Sequence, residues 1–577
     1  MSIPSARVSE SAATLEAARR PGSFPAGDLI AIGCLVIEAG LIVFVLRHLL
    51  TRPFNYDEGW RAYEIALGPG FLSQGQLHAA VGPLSLGWLA IENAARVLLG
   101  DTEAGLRTPM FMVFPVLGVA TYLLARRWLG VAVSFCVAGL LLVNLWIINY
   151  GLQLKSYPYE ALFAVVTIAL YLLLRRTAWR PAQLLGLYAA LGLTCVFSLP
   201  NLFVAVPLLA LDLVETVRAR DRIALRLAGE ALAGVIALAN YVLFLAPQSG
   251  VVGTSYFNAQ YPPPGIGGFA SFTVDGLKSW VPAVITGVAG ANNATPRYSL
   301  PPLAHHLLAI GLVIMLAAGV VAAAREVAGR ALVVACGGAL LFELVGAALH
   351  RWPFGLIRQN ILILPMLYVL GGIGAVWLAR TLRGPRRADG AAAGPAWWRM
   401  AALAVATAMF AVTVAAGGVA TAKTFAESNE LQANLTTMFG GVKDAVAATR
   451  MASVPGDLVI IRADRPTPVW YGTQWLYYME SYAGWPGAIA ARPRIPARDT
   501  LSVVYVTPAA ADRFLAAHRG SPAVFLLEFN LPGYLFPSWA HQQSLETLRR
   551  FGYCPTRETA YPITGHLTIL RAGCSKA

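Results

Sequence analysis

Residues 27–60 read GDLIAIGCLVIEAGLIVFVLRHLLTRPFNYDEGW, an apolar run that passes directly into an acidic segment. About 20 apolar residues are enough for a helix to cross a bilayer. No small-residue cleavage site follows the run, so we expect it to remain as an anchor and not to be a signal peptide. The adjacent carboxylates of Asp57 and Glu58 are unfavourable near lipid unless they face water or a site. This stretch therefore predicts a membrane helix followed by a polar site at one membrane face.

Similar apolar runs recur through the first three quarters of the chain. The 577 residues are 57% hydrophobic and 13% charged, with a mean hydropathy of +0.59, whereas soluble domains carry about 25% charged residues. A soluble multidomain enzyme is therefore excluded, and the composition predicts an α-helical polytopic membrane protein with about 11 transmembrane helices. The predicted spans lie near residues 27–48, 107–125, 129–149, 158–174, 182–198, 200–217, 227–246, 303–323, 331–349, 359–379 and 399–421.

The net charge of +14 marks topology and not a nucleic-acid partner. Basic residues form no patch interleaved with aromatics, and they occupy short clusters between apolar runs. The clusters fall on alternate connections, among them Arg19-Arg20, Arg126-Arg127, Arg175-Arg176, 218–226 and 380–387. Because basic loops stay on the cytoplasmic side, we predict a cytoplasmic N-terminus and a multi-pass protein of the plasma (inner) membrane.

Two long loops and a tail lie on the external side of this topology. Loop 49–106 contains an apolar stretch, Pro83–Ile91, that is too short to span and is expected to lie at the interface. Loop 247–302 is rich in proline, glycine and aromatics and predicts either an ordered lid or a mobile flap. The predicted divisions are a cytoplasmic segment 1–26, a membrane domain 27–421 and an extracytoplasmic domain 422–577.

The tail predicts a small α/β domain. Strand-like runs at 458–461, 503–506 and 524–527 alternate with helix-like segments near 507–519 and 540–550. Cys554 and Cys574 bracket a predicted terminal hairpin. On the oxidising side of a membrane the two thiols can form a disulfide, and the alternative is that both remain unpaired.

Three polar groups of residues are predicted to meet the external face: Asp57 with Glu58, Lys155, and Arg351 with Arg358. Basic residues are disfavoured on this side, so Lys155 and the two arginines are not topology signals. The alternative for the acidic pair is a solvated turn in which Asp57 caps a helix. The alternative for the cations is that their side chains reach lipid headgroups.

These groups resemble elements of the GT-C glycosyltransferases, in particular the lipid A aminoarabinose transferase and protein O-mannosyltransferase group. The similar elements are an acidic pair in a long first external loop, Gly100-Asp101-Thr102-Glu103 leading to Arg107, Leu154-Lys155-Ser156-Tyr157, and Pro353 to Arg358. The resemblance covers most of residues 27–380. One element departs from it: where relatives carry Tyr-x-Lys-Pro-Pro, this chain reads Leu77-His78-Ala79-Ala80-Val81-Gly82-Pro83, with His78 as the substitute for the lysine.

The resemblance implies transfer of a sugar from a polyprenyl-phosphate donor to a glycan, lipid or protein hydroxyl on the external face. An inverting displacement needs a carboxylate base and cations for the departing phosphate. Asp57 is the predicted base, and Glu58 shares this role or orients the acceptor. Lys155, Arg358 and Arg351 are predicted to bind the phosphate. Tyr157, His78 and Tyr261 are further expected substrate contacts.

No metal or cofactor is required by this chemistry, although the Asp57 and Glu58 pair could hold a divalent cation. The alternative function is a transporter or flippase of polyprenyl-linked lipids or sugars. Paired internal repeats and broken helices, which mark such transporters, are not evident in the sequence. A non-catalytic assembly protein is the third possibility. The sugar and the acceptor are not readable from the sequence.

Overall fold

The computed structural model describes residues 25–67, 84–176, 179–220, 222–246, 261–286, 302–355, 358–383, 441–463, 474–492, 499–502, 508–529, 538–561 and 565–573. These residues form a large helical part followed by a small C-terminal sheet. Among the described residues, six helical segments are long and apolar enough to cross a membrane, so the chain is a multi-pass membrane protein. They are Ala26–Thr51, Glu103–Ala125, Tyr157–Leu174, Ile223–Leu245, Val327–Ala348 and Arg358–Leu382.

The helices of the membrane part follow the predicted order. They are α1 (Ala26–Leu46), α2 (Tyr56–Leu67), α3 (Leu86–Leu99), α4 (Glu103–Ala125), α5 (Val131–Leu142), α6 (Leu145–Gly151), α7 (Tyr157–Leu174), α8 (Pro181–Phe197), α9 (Leu202–Ala219), α10 (Ile223–Asn240), α11 (Ile266–Thr286), α12 (Pro302–Ala324), α13 (Val327–Ala348) and α14 (Leu364–Arg383). A 3-10 turn, Arg47–Thr51, extends α1, a π-turn, Tyr241–Leu245, extends α10, and a second 3-10 turn, Arg358–Ile363, leads into α14.

Helices occupy each predicted span that lies within the described residues, with one break. The span predicted at 129–149 is divided into α5 and α6, because Asn144 leaves the helix and its side chain accepts the backbone N–H of Trp146. The Asn144 amide also donates to the Tyr368 hydroxyl at 3.1 Å, which ties the break to α14. The span predicted at 399–421 lies outside the described residues.

The two long loops contain helices of their own. In the first loop α3 begins at Leu86, within the predicted interfacial stretch. Its last turn exposes Val97, Leu98 and Leu99, which suits contact with the apolar boundary of a bilayer. In the second loop the 21-residue helix α11 was not predicted as a helix.

Ion pairs engage three of the predicted basic connections. Asp212, which is fully buried, pairs with Arg175 at 3.0 Å and with Arg226 at 3.2 Å. Arg126, at the end of α4, pairs with Asp28, at the start of α1. Three of the predicted basic connections are therefore neutralised by buried or partly buried carboxylates. The acidic pair at 57 and 58 follows the opposite end of the first span.

The C-terminal domain, defined here as the described residues from 441 to 573, contains a five-stranded mixed sheet in the order β2-β1-β3-β5-β4. Strands β1 and β3 are parallel and fully buried at their centres, and β4 and β5 form the predicted terminal hairpin. The elements are α15 (441–452), β1 (Leu458–Ala463), a π-turn (Tyr477–Ser481), α16 (Gly487–Ala490), β2 (Thr500–Ser502), α17 (Pro508–Ala517), β3 (Ala523–Phe529), α18 (Ser538–Arg550), β4 (Tyr553–Tyr561) and β5 (Gly565–Ala572).

Two predictions about the tail fall partly outside the described residues. The domain boundary predicted at 421 and the strand predicted at 503–506 lie outside the described residues. Strand β2 ends at Ser502, immediately before the predicted strand. Cys554, on β4, is disulfide-bonded. Its predicted partner Cys574 also lies outside the described residues, so that pairing stays a prediction.

Candidate functional site

The structure brings together three of the predicted site residues. The Lys155 ammonium and the Arg358 guanidinium both donate to Asp57 Oδ2, each at 2.9 Å. Asp57 is 8% exposed and Lys155 is 3% exposed. Lys155 is 98 positions from Asp57 along the chain, and Arg358 is 301 positions from it. The cluster is therefore created only by the tertiary fold. A solvated turn at Asp57, the alternative considered above, is wrong because the carboxylate is buried and paired.

Asn55, and not Asp57, caps helix α2. The Glu58 backbone N–H donates to Asn55 Oδ1 at 2.9 Å, and the Asn55 backbone N–H donates to Glu58 Oε2 at 3.1 Å. This reciprocal arrangement is a capping box, which satisfies two backbone donors at the start of the helix. It leaves the Asp57 side chain available for other contacts.

Glu58 has a second set of partners on α4. Arg107 donates to Glu58 Oε1 at 2.8 Å through Nε and to Oε2 at 2.9 Å through Nη2. The remaining Arg107 donors reach the backbone carbonyls of Leu50, Arg52 and Pro53. Both side chains of the pair are fully buried. One arginine therefore fixes the whole connection from the end of the first span to the start of α2.

Glu58 also holds the backbone beside Lys155. The Leu154 N–H donates to Glu58 Oε1 at 2.9 Å. Burial alone would raise the pKa of Glu58, but Arg107 and Arg52 lower it to about 2. The carboxylate is therefore ionised and saturated with donors. It links the helix that carries Asp57 to the turn that carries Lys155.

Arg358 follows a tightly folded loop that is built around Asn360. The Asn360 amide donates to the carbonyls of Pro353 at 3.0 Å and Gly355 at 2.9 Å, while its oxygen accepts from the Trp352 indole at 2.7 Å. Gly355 has a φ of +92°, and a Cβ there would lie 3.1 Å from Gly276 Cα. Glycine suits this left-handed conformation and close approach. These contacts hold Pro353 and Gly355 against Asn360, two positions after Arg358.

A third cation, Arg61, lies one helical turn beyond Asp57. Its Nη1 donates to the Asp57 carbonyl oxygen, and its guanidinium stacks 4.3 Å above the Trp60 ring. Positions four apart on a helix share a face. Lys155, Arg358 and Arg61 all act electrostatically on Asp57. Two cations therefore pair with the Asp57 carboxylate itself, and Arg61 acts on it from its place on the backbone carbonyl.

The shifted pKa values of Asp57 and Lys155 reflect this crowding. Burial by itself would raise the pKa of Asp57, but Lys155, Arg358 and Arg61 together hold it well below its usual range. Burial lowers the pKa of Lys155 to about 8, with the two arginines lowering it further and Asp57 opposing them. The carboxylate is therefore ionised at neutral pH, and the ammonium loses its proton in the mildly alkaline range.

Of the other predicted site residues, Tyr157 lies beside the cluster, whereas Tyr261 and Arg351 lie together elsewhere. Tyr157 is buried, and its ring centroid lies 5.0 Å from that of Tyr150 in an edge-to-face arrangement. The Tyr150 ring in turn lies below the Lys155 ammonium. Tyr261 stacks on His350 at 4.8 Å, next to Arg351. Arg351 is exposed, and within the described part of the chain the structure does not bring it to Asp57. This position suits the lipid-headgroup alternative. His78 lies outside the described residues.

Cationic donors engage most of the carboxylate oxygens of the cluster. The Asp57 oxygen that faces the cluster accepts two charged donors, and both Glu58 oxygens accept from Arg107. In the parts of the chain that the structure describes, no group of three or more His, Cys, Asp and Glu side chains is arranged to bind a metal ion. An excess of cationic donors is complementary to an anion such as phosphate.

Sequence reasoning missed several residues that build this site. Arg107 was noted only as part of a short motif, and its pairing with Glu58 joins positions 49 apart. Arg61 could have been identified from its i, i+4 relation to Asp57. Gln474 and Tyr478, which contact the carbonyl and the amide of Phe54, carried no local signal.

Comparison with known proteins identifies the fold. No family model and no curated protein sequence matches the chain. Among solved structures, ArnT from Cupriavidus metallidurans bound to undecaprenyl phosphate is similar, with a TM-score of 0.53 at 13% identity over 94% of this chain and 98% of that chain. An apo ArnT structure matches with a TM-score of 0.49 at 14% identity over 94% and 99%. The archaeal oligosaccharyltransferase AglB from Archaeoglobus fulgidus, with an inhibitory peptide and a dolichol-phosphate, gives 0.45 at 12% over 86% and 69%. The likeness to the first ArnT structure confirms the predicted GT-C fold.

Proposed function

We propose that the chain is a membrane glycosyltransferase that transfers a sugar from a polyprenyl-phosphate donor to an acceptor hydroxyl. The main support for this proposal is the buried Asp57 carboxylate, which accepts a hydrogen bond of 2.9 Å from Lys155 and another of 2.9 Å from Arg358. A carboxylate within a cationic group provides both functions of the reaction, proton removal and stabilisation of a phosphate leaving group. The ArnT structure with the same fold is bound to undecaprenyl phosphate, and this supports a polyprenyl phosphate as the ligand.

The location of the cluster suits a lipid donor. Asp57 follows the first apolar span, Lys155 directly precedes the span Tyr157–Leu174, and Arg358 begins the span Arg358–Leu382. The three side chains thus lie where membrane segments begin or end. A polyprenyl chain can remain in the apolar region while its phosphate reaches the cations. We assign this end to the extracytoplasmic face, because clusters of basic residues flank the other ends of the same three spans.

The reaction is an inverting displacement at the anomeric carbon of the donor sugar. The acceptor oxygen forms a bond to this carbon as the carbon–oxygen bond to phosphate breaks. The acceptor proton goes to the Asp57 carboxylate, and the bonding electron pair leaves with the polyprenyl phosphate. Negative charge thereby moves from Asp57 to the phosphate. Lys155 and Arg358 remain close to this charge during the transfer.

Donor binding makes Asp57 a stronger base in this scheme. In the free protein, cations hold the pKa of Asp57 low, and a low pKa weakens a general base. A bound phosphate brings its own negative charge to Lys155 and Arg358 and draws them from the carboxylate. Loss of a paired cation and gain of a nearby anion both raise a carboxyl pKa. The base is therefore activated only when the donor is present.

The remaining predicted residues keep supporting roles in this proposal. Glu58 positions the helix start and the Lys155 turn, and its saturated oxygens leave it no part in proton transfer. Tyr157 borders the cluster and is proposed as a sugar contact. Arg351 and Tyr261 lie together at the end of α13 and are proposed to contact lipid or acceptor there.

Transfer by the purified protein tests the proposal. The protein in nanodiscs is given an envelope extract and polyprenyl phosphates that carry labelled arabinose, mannose, galactose or amino sugars. We expect it to transfer the labelled sugar of one of these donors to an acceptor in the extract. Free polyprenyl phosphate should appear in equal amount. The Asp275→Asn variant, altered at an exposed carboxylate, serves as the active control. Counterflow of intact donor across proteoliposomes without covalent transfer would instead support a transporter.

The pKa of Lys155 predicts the alkaline limb of the pH profile. The ammonium is protonated below its pKa of about 8 and neutral above it, and the neutral amine loses the charge that binds phosphate. We therefore expect kcat/KM for the donor to be steady up to this pH and to fall above it. Lys155→Arg should move the fall to higher pH, because a guanidinium stays protonated. Lys278→Arg, at an exposed lysine, should leave the profile unchanged. An unchanged fall in Lys155→Arg contradicts the assignment.

A further inference from the structure

A short segment of the C-terminal domain, residues 474–485, contacts the stretch that leads to Asp57. The Phe54 backbone N–H donates to the Tyr478 hydroxyl at 2.7 Å, and the Gln474 side-chain amide donates to the Phe54 carbonyl at 2.6 Å. Phe54 therefore uses both of its backbone polar groups on side chains that are more than 400 positions away. Tyr478 and Gln474 are fully buried.

A second layer of contacts fixes Tyr478 itself. Its hydroxyl donates to Glu103 Oε1 at 3.1 Å, and the Lys443 ammonium donates to the same oxygen at 2.6 Å. Lys443 also donates to the Tyr482 hydroxyl at 2.8 Å and lies 4.4 Å above that ring. Glu103 lies one helical turn before Arg107 on α4. The two residues share a face of α4 and hold the same connection at two points, one through Tyr478 and the other through Glu58.

The two parts are closely packed where Gly59 meets Gln474. A Cβ added at Gly59, on α2, would lie 2.4 Å from Gln474 Cβ and 2.8 Å from its Cα. The Phe54 ring packs edge-on against Tyr477 at 5.4 Å. The Ala483 N–H donates to the Asp101 carbonyl at 2.8 Å. The contact is therefore tightly packed at Gly59 and Phe54, and hydrogen bonds of Phe54 and Ala483 cross it.

We propose that residues 474–485 act as a clamp that positions the catalytic carboxylate. This inference rests on the proposed function and deepens it. Asn55, which follows Phe54, caps α2, so a displacement of Phe54 is transmitted to the first turn of α2 and to Asp57 within it. The C-terminal domain is then part of the catalytic apparatus. Tyr478 and Gln474 are positioning residues that touch no reacting atom.

Hydrogen exchange in the full chain tests the clamp without any substrate. We expect Tyr478→Phe to increase exchange of the amides of residues 54–59 about two- to tenfold. The substitution removes the hydroxyl that bonds both Phe54 and Glu103, and the bond that holds Phe54 is worth about 0.5–1.5 kcal/mol. Gly59→Ala, which leaves Tyr478 intact, should act on the same amides. Tyr553→Phe is the matched control, because this buried tyrosine of the same domain donates to the Ser521 carbonyl away from the contact. A response confined to Phe54, or none, overturns the clamp.

Steady-state kinetics separates positioning from general stability. We expect Tyr478→Phe and Gly59→Ala to lower kcat about tenfold or more, as misplacement of a reacting group does, with little change in the donor KM because Lys155 and Arg358 are untouched. Tyr553→Phe should keep the wild-type kcat. Faster exchange at 54–59 with unchanged kcat overturns the positioning role. Absence of transfer by the wild-type protein overturns the proposed function alone, since the exchange result stands independently.

Discussion

Asp57→Asn is expected to reduce kcat about 10²- to 10⁴-fold, the usual contribution of a general base. The same variant should bind polyprenyl phosphate at least as tightly as the wild-type protein. The carboxylate now takes hydrogen bonds from both Lys155 and Arg358. A neutral amide competes less than a carboxylate for these cations. Lys155 and Arg358 are then more available to bind the phosphate of the lipid. Opposite effects on turnover and on lipid binding distinguish a base from a residue that only binds the donor.

Two measurements check this prediction. Single-turnover transfer of a labelled sugar gives the chemical step, and native mass spectrometry of the protein with polyprenyl phosphate gives the affinity. Asp275→Asn is the matched control, because Asp275 is 67% exposed and pairs with Lys278. Wild-type turnover in Asp57→Asn would exclude Asp57 as the base. Weaker lipid binding in the variant would indicate that the carboxylate does not compete with phosphate.

The helices of the membrane part were predictable because lipid selects for long apolar runs. Hydropathy located α1, α4 and α7 to within a few residues. It did not show that Asn144 would interrupt the third predicted span, since this break depends on a contact with Tyr368 in a distant helix. The helix α11 was missed because a loop rich in proline and glycine precedes it.

The charged residues of the site could be predicted from the sequence, but the residues that hold them in place could not. Asp57, Lys155 and Arg358 were identified because charges on the outer side of membrane helices need a reason. Their common membrane side followed from alternating basic loops. The partner of Glu58 could not be read from the sequence, because Arg107 reaches it through the packing of α4 against the end of the first span. The contact of Tyr478 with Phe54 joins two parts of the chain that no local pattern relates.

Glu58→Gln is expected to destabilise the folded protein by about 3–5 kcal/mol, the usual effect of removing one partner of a buried ion pair. The variant leaves the Arg107 guanidinium fully buried with only backbone carbonyls and a neutral amide as acceptors. It also weakens the bond from the Leu154 amide. Both the Asp57 helix and the Lys155 turn should loosen, so activity is expected to fall together with stability.

Unfolding in detergent measures this effect, and a second substitution separates the pair from its surroundings. Glu58→Gln with Arg107→Met should be less destabilising than the two single changes combined, because no uncompensated charge is then buried. Asp275→Asn, at an exposed pair, should change stability by less than about 1 kcal/mol. Additive losses in the double variant would show that the ion pair does not hold this connection.

The pKa of Glu58 gives the same prediction a pH dependence. Arg107 and Arg52 overcome the effect of burial and lower this pKa to about 2, below the value expected in the unfolded chain. The ion pair therefore stabilises the folded protein fully at any pH above the ordinary pKa of a glutamate. This stabilisation is lost as the pH falls toward the lower pKa that Glu58 has in the folded protein. We expect the wild-type protein to lose stability steeply on acidification below about pH 4. Glu58→Gln should lose less, because it has no proton to gain at this position.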